Sequence, residues 1–304
     1  MSQRIVPSLW FDHTGREAVD FYLSAFPDAA ELSVMRYPTQ DLPDFQTDFA
    51  GDVLEIRFRL ADLELSAINA GSEFRPNPSN SFLANFDPSR DDAATTHLDE
   101  LWASLTEGGE VRMELGAYPF SPHYGWVEDR YGVNWQLMLT DPHGDPRPVI
   151  TPSLMFPFGD TRASQAADLY TGLFDAVFGD SAVGNRAPYS AMGDPDTKDL
   201  PKGMLAYSDF TLAGQWFAAM DSGVPQDFTF TEGLSLIVEC DDQIQIDRLW
   251  DTLSTVPESE VYGWCKDPFG VSWQITPATM PDYAADPQAY RRMLGMKKII
   301  IDDL

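Results

Sequence analysis

From residue 53 the chain reads Val-Leu-Glu-Ile-Arg-Phe-Arg-Leu, in which apolar and polar side chains alternate by two. Successive residues of a strand face opposite sides, so this stretch predicts a strand with one apolar face. Residues 6–12, 34–37, 63–69 and 81–86 also read as strands. After the first of these, Ala18, Phe21, Tyr22, Ala25 and Phe26 recur at helical spacing and predict a helix with one buried face. Thr14-Gly15-Arg16-Glu17 just ahead of it reads as a capping box. A second helix carries Leu98, Leu101, Trp102 and Leu105 on its inner stripe, with Asp91 and Asp92 at its positive end. The order is strand, helix, three strands, followed by the same order again.

The whole pattern is then repeated. YGWVEDRYGVNWQ at residues 124–136 recurs as YGWCKDPFGVSWQ at 262–274. Pro7-Ser8-Leu9 recurs as Pro152-Ser153-Leu154, Tyr22 with Phe26 as Tyr170 with Phe174, and Leu101-Trp102 as Leu249-Trp250. A copy is therefore a full domain long rather than a short solenoid unit. Between Leu105 and Tyr124 the first copy has about ten residues more than the second, which predicts an extra strand or loop around residues 111–115. The stretch TDPHGDPRPVI, with three prolines and a glycine, reads as the join. The expected domains are residues 1–145 and 146–304, each built of two βαβββ modules.

Length and composition agree with about two globular domains: 304 residues, 43% hydrophobic and 12% aromatic. The net charge of −28 is spread over both halves and argues against nucleic acid and anionic membrane as partners, whose affinity comes largely from Lys and Arg. No apolar run approaches the roughly 20 residues of a membrane span, and the first residues lack the pattern of a secretory signal. Cys240 and Cys265 form no disulfide framework and fit a reducing compartment, so a cytoplasmic location is expected. No two of the 21 glycines are separated by a single residue, which removes the dinucleotide fingerprint.

The openings VPSLWFD and ITPSLMF, the closing GWxxDxxGVxWQ of each copy, SLIVECDD leading into IDRLW, and the terminal YRRMLGMKKIIIDDL carry a resemblance. The chain resembles the vicinal oxygen chelate superfamily, the glyoxalase / bleomycin-resistance / extradiol-dioxygenase fold, and within it the PhnB-like branch. That branch often bears the label 3-demethylubiquinone-9 3-methyltransferase. The resemblance implies an α+β fold: four βαβββ modules forming two glyoxalase-like domains, with curved mixed sheets flanked by helices. It also implies an internal pseudo-dimer of the two copies, with further self-association left open. The glycine-rich strand-to-helix turn usual for S-adenosylmethionine is missing, so the label carries no expectation of methyl transfer.

In glyoxalase-type relatives, paired modules form a cup in which a first-strand His and a last-strand Glu, with their sister equivalents, bind a divalent metal. The corresponding positions here fall within residues 6–8 and 151–153, at about Ser81 and Ser235, and at Gln136 and Gln274. None is His, Asp or Glu, so no metal and no cofactor is expected. His13, His97, His123 and His143 show no metal-ligand spacing.

Trp135 and Trp273 alternate with Gln136 and Gln274, and analogy with the metal position assigns the Gln pair to the cup and the Trp pair to the core. For Trp126 and Trp264, core and pocket both remain open. Ser8, Trp10, Ser153 and Met155 on the opening strands, with Ser81 and Ser235, complete the expected lining. Two loops, 68–80 and 220–233, are expected to rim the cups through Asn69, Phe74 and Asn77 and through Asp221, Phe228 and Phe230. His123 is kept as a candidate beside the Trp126 strand. Cys265 is kept as a candidate thiol, against the reading of a buried inert cysteine.

Three functions follow. The first is a metal-free protein binding a small organic ligand. The second is a divergent enzyme of the superfamily, of lyase, isomerase or dioxygenase type. The third is a non-catalytic pseudo-dimeric scaffold.

Overall fold

The computed structural model describes residues 3–40, 42–159, 161–191, 197, 199–284 and 286–304. It contains two curved mixed sheets with helices packed on them. The first module supplies β1 (Ile5–Phe11), α1 (Gly15–Ala25), β2 (Ala30–Arg36), β3 (Val53–Leu60) and β4 (Leu63–Asn69). The second supplies β5 (Asn80–Phe86), α2 (Ala94–Thr106), β6 (Glu110–Tyr118), β7 (Ser121–Glu128) and β8 (Asn134–Leu139). The third has β9 (Ile150–Phe156), α3 (Arg162–Phe178), β10 (Ala182–Pro188), β11 (Leu205–Leu212) and β12 (Gln215–Asp221). The fourth has β13 (Leu234–Cys240), α4 (Gln243–Leu253), β14 (Trp264–Lys266) and β15 (Ser272–Pro277), followed by α5 (Met280–Ala284) and α6 (Pro287–Leu294).

Each sheet takes one module from each half of the chain. The seven-stranded sheet runs β14-β15-β13-β1-β4-β3-β2 and the eight-stranded one β10-β11-β12-β9-β5-β8-β7-β6. Both are joined at the centre by an antiparallel pair: β1 with β13, Ser8 opposite Ser235, and β5 with β9, Ser81 opposite Ser153. This is the connectivity of an internal pseudo-dimer: the first module pairs with the fourth and the second with the third, so the repeat-equivalent strands β1 and β9 lie in different sheets.

Parity along the strands decides what each face holds. In β3, Ile56, Phe58 and Leu60 are buried in the core, while Glu55, Arg57 and Arg59 take the other face. Trp135 and Trp273 are fully buried under the helices. The first glycine of the first repeated phrase has a steric reason: a Cβ on Gly125 would lie 2.5 Å from the Trp102 ring of α2, whereas its counterpart Gly263 is required by a φ of +91°.

The extra residues of the first copy form β6, an edge strand of the eight-stranded sheet. In the second copy that edge is occupied differently: Tyr262 and Gly263 N–H donate to the carbonyls of Met296 and Lys297, so the C-terminal segment lies where β6 has no counterpart.

The expected capping box is not formed. Thr14 sits at the N-cap of α1 with φ −95° and ψ 0°, a geometry that leaves its side chain without a cap bond. The Asn69 side chain serves instead, its Oδ1 accepting from Gly15 N–H at 2.8 Å. Asp221 does the same for α3, accepting from Ala163 N–H at 2.9 Å.

Candidate functional site

The face of the seven-stranded sheet opposite its helices is concave and forms the first cup. Its floor is set by register: Ser8 lies beside both Ser66 and Ser235, and Gln274 beside Ile237. Trp264 stands opposite Gln274 on the edge hairpin. A cavity of about 270 Å³ opens above this floor. Ligand pockets are commonly roughly 300–1,000 Å³ and mostly apolar with a few placed polar groups, so this one suits a small ligand.

The walls are aromatic. Trp10 and Trp264 meet edge to face with centroids 5.9 Å apart, and Phe74 abuts Trp10 at 5.1 Å. Trp10 Nε1–H is held by the Gly71 carbonyl at 2.7 Å, which fixes the ring. Tyr37 donates to the Asn69 carbonyl at 2.8 Å and lies against Phe49. Tyr262 lines the far side, and Phe45, 64% exposed, stands at the mouth. The C-terminal helices complete the wall with Met280, Tyr290, Met293 and Leu294.

The polar part of the lining is a charge cluster. Arg57 Nε donates to Glu55 Oε1 at 2.6 Å, and Nη1 lies 3.3 Å from Glu239 and 3.4 Å from Glu64. Ser66 Oγ also donates to Glu55 at 2.6 Å. Burial works against the Arg57 charge, but Glu55, Glu239 and Glu64 outweigh it and raise its pKa. Burial pushes the Glu239 carboxyl up, opposed by Arg57 and reinforced by Glu64.

The second cup repeats the frame with different contents. Gln136 is 2% exposed and tied at both ends: Nε2–H to Ser81 Oγ at 2.8 Å, and Oε1 accepting from Tyr124 Oη–H at 2.7 Å. Tyr124 is itself enclosed by Tyr118 and Phe120. In the first cup Gln274 keeps the bond to Ser235 at 2.8 Å. Its Oε1, however, has no partner among the described residues, because Tyr262, at φ +39°, takes up a different position from Tyr124.

The expected lining residues divide as follows. Trp10, Trp264 and Gln274 line the cavity, Phe74 backs it, and Ser8 and Ser235 lie in the strands of its floor. Ser81, Gln136, Trp126 and Ser153 share the corresponding face of the second cup, with Trp126 Nε1–H on Asn134 Oδ1 at 3.1 Å. Met155 is a buried residue of β9.

Others lie elsewhere. Asn69 and Asp221 are buried helix caps, since a helix start needs acceptors for its free N–H groups. His123 points toward α2, where Nε2 meets Asp99 at 2.7 Å. Cys265 has the parity of the core, 1% exposed, and burial pushes its thiol pKa up. Phe230 is buried against Phe156. Asn77 ties the two rim loops through the Thr229 carbonyl at 3.0 Å. Phe228 is half-buried in the second loop. Sequence reading missed Glu55, Arg57, Glu239 and Tyr37; the alternation in residues 53–60 set only Glu55 and Arg57 apart from the core.

The metal of glyoxalase-type cups does not fit these residues. The equivalent positions offer no His, Asp or Glu, and among the described residues Ser8 Oγ and Ser153 Oγ are buried and unpartnered. Among the described residues no group of three or more His, Cys, Asp or Glu is arranged to hold a metal ion.

A family model described as 3-demethylubiquinone-9 3-methyltransferase matches residues 3–138 and again 148–276. Comparison with curated proteins gave no match. A PhnB protein from Bacillus cereus, described as a 3-demethylubiquinone-9 3-methyltransferase, is 30% identical over 45% of this chain and 100% of its own, with a TM-score of 0.39. The protein PA1353 from Pseudomonas aeruginosa is 23% identical over 46% of this chain and 98% of its own, with a TM-score of 0.38. Glyoxalase I from Zea mays is 11% identical over 94% of this chain and 96% of its own, with a TM-score of 0.51, a likeness of fold.

Proposed function

The chain belongs to the 3-demethylubiquinone-9 3-methyltransferase family, and we propose that it is a small-molecule binding protein whose ligand site is the first cup. The observation that carries this reading is the contrast between Gln136 and Gln274. One amide is closed off by its own tyrosine. The other leaves an acceptor facing an aromatic cavity of about 270 Å³. Gln274 is half-buried; once a ligand covers its amide, an acceptor left unmatched would cost about 1–3 kcal/mol, which favours a ligand with a donor at that place.

Catalysis through Cys265 or His123 finds no support, since the first lies in the core and the second on the helix side of its strand. Methyl transfer finds none in the sequence, which lacks the glycine-rich turn usual for its cofactor. The neutral Ser and Gln donors give no support to a glyoxalase-type Lewis acid either.

Thermal unfolding against a panel of aromatic and amphipathic compounds tests the reading. A ligand at a hundredfold excess over Kd stabilises by about 2.7 kcal/mol. Hits are expected with the wild type and with Trp126→Ala, and are expected to disappear with Trp264→Ala. A panel without hits, or hits insensitive to Trp264, would count against the first cup as the site.

A further inference from the structure

We propose that the ligand of the first cup is an organic cation, an amine or quaternary ammonium attached to a small apolar or aromatic body. The inference rests on the reading of that cup as the binding site and names the chemical class it takes.

The cavity lining carries Glu55, Glu73 and Glu239 against one cation, Arg57. Arg57 is already engaged by Glu55 at 2.6 Å, Glu239 at 3.3 Å and Glu64 at 3.4 Å. An anionic ligand would have to take Arg57 from three carboxylates, whereas a cation meets carboxylates that one guanidinium cannot neutralise. Half-buried like charges without full compensation are costly, and a counter-charge is the direct remedy.

The walls point the same way. Trp10, Trp264, Tyr37 and Tyr262 surround the cavity. Aromatic faces attract a desolvated cation through their ring quadrupoles, and several converging rings are how quaternary ammonium groups are recognised. The net charge of −28 adds a long-range field that draws cations toward the protein.

The second cup supplies an internal comparison. Asp209 stands at the register of Arg57, beside Ala218 as Arg57 is beside Ser66. Asp209 is paired with Arg147 at 2.9 Å, and the Arg147 guanidinium lies 4.3 Å from the centroid of the Trp216 ring. That cup thus holds a carboxylate, an aromatic face and a cation, all from the chain itself. The first cup holds carboxylates and aromatic faces in excess of its one cation.

Binding of benzyltrimethylammonium, neutral benzyl alcohol and phenylmethanesulfonate, followed by tryptophan fluorescence and calorimetry at fixed ionic strength, tests the inference. The cation is expected to bind at least tenfold tighter than the other two. Glu239→Gln is expected to weaken it about tenfold and to weaken benzyl alcohol far less, so that the preference for the cation falls. Glu73→Gln, at an exposed position, is expected to weaken it severalfold with no effect on folding. Equal affinities, or preference for the sulfonate, would overturn the cation while leaving the first cup a binding site. Cation binding unchanged by Trp264→Ala would place the probe on the acidic surface and overturn the inference. Absence of binding by all three at millimolar concentration overturns it too; the wider reading is then decided by the thermal panel alone.

Discussion

Tyr22 Oη donates a 2.8 Å hydrogen bond to Asp129 Oδ2, joining α1 of the first module to the turn between β7 and β8 of the second. The same carboxylate accepts from Trp135 Nε1–H at 2.9 Å and from the backbone N–H groups of Tyr131 and Val133. Tyr170, Asp267 and Trp273 repeat the arrangement in the other half. The aspartate and second tryptophan of the repeated phrase are therefore a clamp between modules, placed in the core rather than in the cups.

Replacing Asp129 by Ala removes the acceptor for four donors in a site that excludes water. A loss of roughly 3 kcal/mol or more is expected, because each orphaned donor keeps its desolvation cost. Chemical denaturation measures it directly, and Asp267→Ala should lose a similar amount. A change below about 0.5 kcal/mol in both would show that the clamp contributes little.

The two cups should respond differently to the same deletion of one hydroxyl. Tyr124→Phe leaves Gln136 Oε1 buried without its donor, at an expected cost of about 1–2 kcal/mol. Tyr262→Phe removes no hydrogen bond among the described residues and is expected to leave stability unchanged. Equal losses in the two variants would contradict the asymmetry between the cups.

The pH dependence of the first cup follows from Glu239. Burial raises its pKa, with Arg57 opposing and Glu64 and Glu55 reinforcing the rise. An acid whose folded pKa lies above its unfolded one contributes stability below the unfolded pKa and loses it as pH rises through the folded one. Near neutrality, Glu239→Gln should therefore raise the Tm of the unliganded protein. Binding of a cation should release a proton and weaken as pH falls through the raised pKa. Calorimetry in buffers of different ionisation enthalpy detects that proton, and proton uptake would contradict the sign.

Both thiols should be inert in the folded protein. Burial pushes the Cys240 thiol up to about 12 and the Cys265 thiol up as well. The thiolate is the reactive form, so iodoacetamide at pH 8 is expected to modify neither until denaturant is added. Rapid native labelling of Cys265 would contradict its place in the core.

Much of the fold was legible because local pattern and burial agree. The alternation in residues 53–60 became β3, the stripe of Leu98, Leu101 and Leu105 became the buried face of α2, and the extra residues near 111–115 became β6. The strand at residues 34–37 was read short because β2 is an exposed edge with no apolar period to mark its start. Thr14 misled because a capping box is a local pattern, and here a residue 54 positions away supplies the cap.

The site was less legible for a related reason. Arg57 and Glu55 sit on the polar face of an alternating strand, which from sequence alone looks like a solvent face. Only the curvature of the sheet and the C-terminal cover turn that face into a cavity. Asn69 and Asp221 were assigned to the rim from their loops, yet tertiary contacts turned both toward helix starts.

An open first cup and a closed second one imply a single ligand per chain. Calorimetric titration with the strongest compound from the thermal panel, on wild type, Trp264→Ala and Trp126→Ala, decides it. One site per chain, lost in Trp264→Ala and kept in Trp126→Ala, is the predicted result. Two equivalent sites, or a single site lost only in Trp126→Ala, would contradict it.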